Sequence, residues 1–200
     1  MEKKISVSNG NIKIGEIKSV SLPPIITCAE NCTCAKKCYA MRMYRRFKTT
    51  KNAYDNNLEI LNNNPAEYWK QVNDALYTSR FFRFHVSGDI PNYEYLVNMV
   101  EAAKENSHCD ILAFTKRYDF VNKLIENGTE IPANLHILFS EWKGMDMENP
   151  HNMPVAHVIF KGEEPKAEWN ICNGNCFECA KDKMNCWKLN KGEHIAFYEH

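Results

Sequence analysis

The stretch FFRFHVSGDIPNYEYLVNMVEAAKENSHCDILAF, residues 81–114, decides the fold. FFRFHV (81–86) and CDILAF (109–114) are short runs of aromatic and branched residues, which read as strands. Between them, NYEYLVNMVEAAKEN (92–106) places Tyr95, Leu96, Met99, Val100 and Ala103 on one stripe of a helix. A strand, a helix and a second strand close through a right-handed crossover into two parallel strands. The rhythm continues through YDFVNKLIEN (118–127), stopped by Gly128, then LHILFS (135–140) and VAHVIF (155–160).

Counting the strand ahead of Cys28, five or six strands are expected. The predicted class is α/β: a partial (β/α) barrel with mostly parallel strands. A full eight-stranded barrel takes about 250 residues, and this chain has 200. Upstream, NIKIGEIKSVSL (11–22) predicts an N-terminal hairpin or edge strand, and PPIITC (23–28) an extended segment. Lys36 to Asn62 contains no Pro or Gly and permits helix; Asn64-Pro65 starts another that runs to about Thr78. Tyr68, Trp69, Tyr93 and Tyr95 fit core packing. One domain is expected over 1–200, with 160–200 a Cys-rich, metal-pinned C-terminal extension rather than core.

With 44% hydrophobic and 25% charged residues the composition is that of a folded globular protein. Lys+Arg and Asp+Glu number 25 each, so no global field draws the chain to nucleic acid or an anionic membrane, and such a partner needs a local patch. The N-terminus lacks an apolar core of signal-peptide length, and no run approaches the roughly 20 apolar residues of a membrane span. A cytoplasmic protein without a membrane partner is expected. In a reducing cytosol clustered cysteines bind metal or do chemistry rather than form disulfides.

Eight of the nine cysteines fall into two groups, Cys28, Cys32, Cys34 and Cys38, and Cys172, Cys176, Cys179 and Cys186. The second is spaced C-x3-C-x2-C-x6-C, and its C-x2-C pair lets two sulfurs bite one metal or cluster. Spacing leaves zinc and an iron–sulfur cluster both open. In the first group one thiol is expected to be spare. Cys109 reads as a small buried hydrophobe.

Ligands bind at the carboxyl ends of parallel strands. The exits HVSGDI, FTKR, FSEW and FKGEE are polar, so His85, Ser87, Asp89, Thr115, Lys116, Arg117, Ser140 and Glu141 are expected on one rim with the first cysteine group. Asp89, Lys116, Arg117 and His85 are the catalytic candidates, and Ser87, Asp89, Thr115 and Lys116 the cofactor-binding ones. Ser and Thr there also serve as helix caps. MRMYRRFKTTK (41–51) carries Arg42, Arg45, Arg46, Lys48 and Lys51 beside Tyr44 and Phe47. It reads first as one solvated helix face, with nucleic-acid contact the less favoured use.

CYA closing the first cysteine group, FRFHVSGDIPNYEYL, AFTKR, IPANLHILFS and a final CW followed by IAFYEH resemble, in this order, the phage-encoded gene product 88 family. The resemblance implies a phage or prophage iron–sulfur protein, placed in the host cytoplasm, and its C-x5-C-x3-C-Y-A spacing favours Cys28, Cys34 and Cys38 as ligands. More loosely, the chain resembles radical S-adenosylmethionine enzymes, in which three thiolates hold a [4Fe-4S] cluster. That implies S-adenosylmethionine near Asp89 and Lys116 or Arg117. The spacing here and Ser-Gly-Asp in place of Gly-Gly-Glu depart from that pattern. The expectation is an iron–sulfur protein with one or two [4Fe-4S]-type clusters and an unknown substrate or redox partner. The alternative is a zinc-stapled nucleic-acid-binding or structural interaction protein.

Overall fold

The computed structural model describes residues 3–30 and 32–199. Asn31, inside the first cysteine loop, and His200, at the end of IAFYEH, lie outside the described residues. The elements in chain order are β1 (Val7–Ser8), β2 (Lys18–Val20), a 3-10 turn (Thr33–Lys37), α1 (Tyr39–Arg46), α2 (Lys48–Asn63), α3 (Pro65–Tyr77), β3 (Phe81–Phe84) and α4 (Tyr93–Glu105). They continue with β4 (Asp110–Thr115), α5 (Tyr118–Glu126), β5 (Leu135–Ser140), β6 (Val155–Ile159), β7 (Asn170–Ile171), α6 (Cys176–Lys181), a 3-10 turn (Asn185–Trp187) and β8 (His194–Tyr198).

The strands form one eight-stranded sheet in the order β1-β2-β3-β4-β5-β6-β8-β7. Only β1 and β2 pair antiparallel; the other neighbours are parallel. The sheet is open, with β1 and β7 as its edges. From β2 to β6 every step moves to the next position in the same direction. Right-handed crossovers in a constant direction put their helices on one face of a sheet.

Alternation along the strands builds two cores. Phe82, Phe84, Ile111, Ala113, Ile137 and Phe139 face the helices, where they bury Tyr68, Trp69, Val72 and Leu76 of α3, Tyr95, Leu96, Met99 and Val100 of α4, and Val121 and Leu124 of α5. Phe81, Leu112, Leu138, Ala156 and Ile195 face the other way, against Ile14, Ile17, Cys179, Ala180, Cys186 and Trp187. Trp187 meets Phe81 edge-on, the ring centroids 5.7 Å apart. The helix starts follow the side-chain chemistry: Asn64 Oδ1 accepts from the Glu67 N–H at 3.2 Å with Pro65 at the first helical position, and Asn92 Oδ1 accepts from the Tyr95 N–H at 2.8 Å.

Four local expectations are corrected. The 160–200 segment is not an extension outside the core, because β8 lies within the sheet and residues 176–187 cover its second face. An open sheet with helices on one side must bury its other apolar side against something. The hairpin pairs Val7–Ser8 with Ser19–Val20, further apart than 11–22 suggested, with the Asn11–Gly15 bridge at its turn. PPIITC turns rather than extends, with Ile25 at φ 72° and the Cys28 N–H donating to the Ile25 carbonyl at 3.1 Å. The helix-permissive run after Lys36 breaks at Phe47, which is extended at φ −114° and ψ 111°.

Candidate functional site

One cavity of about 250 Å³ collects the chemistry. All eight clustered cysteines line it, although the two groups leave different ends of the chain. The first arrives on the loop after β2. The second comes over the sheet's second face, Cys172 just after β7, Cys176 and Cys179 on α6 and Cys186 in the turn behind it. Of the predicted rim residues His85, Ser87, Asp89, Thr115, Lys116 and Ser140 line the cavity.

Arg117 and Glu141 do not line it. Arg117 donates to both oxygens of Asp119 and stacks on the Phe120 ring, 3.4 Å from its centroid. Arg117, the second residue after β4 and the cap of α5, is held there and away from the cavity lining. Glu141 bonds His157 Nδ1, whose Nε2 lies 2.9 Å from His194 Nδ1. Cys109 is fully buried in the helix-side core. Arg42, Arg45, Arg46, Lys48 and Lys51 are exposed beyond the cavity, as a solvated face requires.

N–H donors point at four of the sulfurs. The Ile25 N–H donates to Cys28 Sγ (3.3 Å), the Gly174 N–H to Cys172 Sγ (3.4 Å), Asn185 Nδ2 to Cys179 Sγ (3.4 Å) and Arg83 Nη1 to Cys176 Sγ (3.6 Å). Ile25 and Asn185 hold positive φ, 72° and 51°. A β-branched residue in the left-handed region is strained, and strain of this kind collects at functional sites. Cys32 Sγ and Cys34 Sγ stand 2.8 Å apart. Their hydrogen bond holds the Cys32 thiol down, with the Lys116 ammonium acting in the same sense against burial. The same bond, with burial, pushes Cys34 up. Burial, reinforced by Asp89, pushes Cys28 up to about 12. Burial and the neighbouring Cys176 and Cys172 push Cys186 up.

Asp89 acts as a brace. Its Oδ1 accepts from Thr115 Oγ1 (2.6 Å) and the Ile90 N–H (2.8 Å), and its Oδ2 from the Lys116 N–H (2.8 Å). Burial raises its pKa and those bonds oppose the rise. The carboxylate thus ties the β3 exit to the β4 exit while bordering the cavity. Lys116 Nζ donates to Ser140 Oγ at 2.8 Å and joins β4 to β5 in the same way.

Four of the six buried side-chain polar atoms without a partner among the described residues belong to the cavity lining: Arg83 Nε, His85 Nδ1, Ser87 Oγ and Trp187 Nε1. Unpaired buried polar atoms cost about 1–3 kcal/mol each, so their grouping marks where a bound group belongs. Arg83 escaped the sequence reading because it sits inside a strand; its signal was a lone cation in FFRF, on the opposite side from Phe82 and Phe84. Lys13, Trp142 and His157 also line the cavity, brought there by folding alone.

Among the described residues no three His, Cys, Asp or Glu side chains are grouped closely enough to hold a single metal ion. No helix is long and apolar enough to cross a membrane among those residues. No curated protein and no solved structure matches the chain. A family model described as gene product 88 matches residues 2–195. With its strand-exit motifs and both cysteine groups inside that match, the chain belongs to the phage gene product 88 family.

Proposed function

We propose that this is an iron–sulfur protein working in the reducing cytoplasm of the host, with a [4Fe-4S]-type cluster in the cysteine-lined cavity of a partial (β/α) barrel. The observation that carries this is the convergence of eight cysteines on one cavity of about 250 Å³. N–H donors directed at sulfur suit thiolate ligands and tune a cluster's potential. Thiolates spread around a cavity suit a group whose ligands bind different irons better than a lone zinc ion, whose sulfurs must all lie about 2.3 Å from it.

Cys28, Cys34 and Cys38 would supply the N-terminal ligands, with Cys32 the alternative to the Cys34 it touches. Cys172, Cys176, Cys179 and Cys186 would hold a second cluster or complete the first, and so pin residues 172–186 across the sheet. When bound, such a cluster supplies one-electron transfer. The chain's own residues do the rest. Arg83, Lys13 and Lys116 place cations around the negative charge that thiolates bring, and Trp187 and Phe114 exclude water. Electron transfer is favoured over S-adenosylmethionine chemistry because both Asp89 oxygens are engaged in the strand exits.

Anaerobic purification followed by iron, sulfide and zinc determination tests the proposal. Iron and sulfide in equal amounts are expected, reduced in Cys28→Ser and Cys38→Ser. Cys34→Ser should lose iron where Cys32→Ser keeps it. A colourless protein carrying stoichiometric zinc and no iron would refute it.

A further inference from the structure

The charges of this chain cancel overall but are segregated. Residues 32–54 hold Lys36, Lys37, Arg42, Arg45, Arg46, Lys48 and Lys51 and no Asp or Glu, so the rest of the chain carries the balancing negative charge. The structure displays all seven cations as exposed residues on one continuous run: the first 3-10 turn, α1 and the start of α2. Lys37 pairs with Glu199 and Lys51 with Asp55. The salt bridges of the described residues include none to Lys36, Arg42, Arg45, Arg46 or Lys48. Arg42, Arg45 and Arg46 stand at i, i+3 and i+4, the spacing of one helix face.

A merely solvated face accounts for the cations and not for what lies among them. Five of the ten exposed large hydrophobic residues, Ile25, Ile26, Tyr39, Met43 and Phe47, belong to this run or to the loop leading into it. Tyr39 is 42% and Phe47 40% exposed, and the Arg46 guanidinium lies 5.4 Å from the Phe47 ring centroid.

We propose that α1 and the start of α2 form a docking surface for a single strand of nucleic acid. Cations without a single intervening acid complement a phosphate backbone, and half-exposed aromatic rings among them offer stacking faces to any base. A protein partner is less well matched, since protein interfaces interleave donors with acceptors, and the charged groups here are donors only. Lys37 and Tyr39 border the cysteine cavity, but Arg42, Arg45 and Arg46, on which the test turns, lie outside its lining.

The test is fluorescence anisotropy with short labelled DNA and RNA oligonucleotides, single-stranded and duplex, across a salt series. Single strands should bind at low salt. The variant Arg42→Ala/Arg45→Ala/Arg46→Ala should bind about 100-fold more weakly at 0.1 M salt, with the log–log salt slope flattened by about 2, as three phosphate contacts at about 0.7 each imply. The matching triple Lys variant should keep the slope. Because all three positions are exposed, melting temperature and iron content should stay unchanged, and a failed cluster assay leaves this test standing. The proposal is overturned by no binding at low salt, by an unaltered Ala variant or by preference for duplex. Equal binding of polyglutamate would also overturn it and assign the surface to an acidic protein.

Discussion

Replacing His85 by Asn should remove an acid-sensitive element of stability. The His85 side chain lines the cavity, buried, with its Nε2 3.1 Å from the Tyr95 hydroxyl and that hydroxyl 3.0 Å from Tyr68 Oη. Burial, helped by the Arg83 guanidinium, pushes the imidazole down to about 3 from an ordinary value of 6.5. The folded state therefore binds fewer protons than the unfolded one. Stability from this source is fully present above pH 6.5 and is lost as pH falls through that value towards 3. At pH 5 the unfolded imidazole is charged and the folded one is not, so the loss is about 2 kcal/mol at about 1.4 kcal/mol per pH unit. That figure holds for any folded value below about 4, which makes pH 5 the right place to measure. Asn keeps the backbone, since it tolerates the φ of 58° at this position. Urea unfolding of both proteins at pH 7 and pH 5, at matched iron content, should give a difference between them that shrinks by about 2 kcal/mol on acidification. Parallel changes in the two proteins would refute the buried neutral imidazole.

Asp89→Ala should cost about 3–5 kcal/mol in chemical denaturation by stranding the Thr115 hydroxyl and two backbone N–H groups; a loss below 1 kcal/mol would mean that solvent replaces the brace. In Gly88→Ala the new Cβ would lie 2.6 Å from Thr27 Oγ1 and 2.8 Å from the Leu22 carbonyl oxygen, at φ 79°. The β3 exit and the first cysteine loop should then shift, read as lower iron content and lower melting temperature together. Phe84→Ala, at a fully buried site against Trp69 and Tyr95, should destabilise by about 3–5 kcal/mol while iron binding persists under native conditions.

Much of the helix-side core was legible because each element carries its own period. LHILFS matches β5 end to end, and the Tyr95, Leu96, Met99, Val100 and Ala103 stripe is buried as a set. Asn-Pro at 64–65 opens α3 as its capping chemistry demands. β8 escaped notice because IAFYEH is short and follows a segment that reads as irregular; it becomes a strand by pairing with β6. The break at Phe47 has no Pro or Gly to announce it.

The candidate site divides along the same line. Residue type and spacing were sufficient to mark two cysteine groups and a row of polar strand exits, since parallel strands carry their exits to one rim wherever the chain continues. They could not say that both groups border one cavity, that Arg83 reaches Cys176, or that Asp89 is occupied in joining two strand ends. Nor could they say that Arg117 turns away. The shared cavity and the Arg83–Cys176 contact depend on which face of an open sheet the C-terminal segment covers. That choice is made by burying the apolar side that the helices leave bare, a property of the assembled sheet and of no local stretch of sequence.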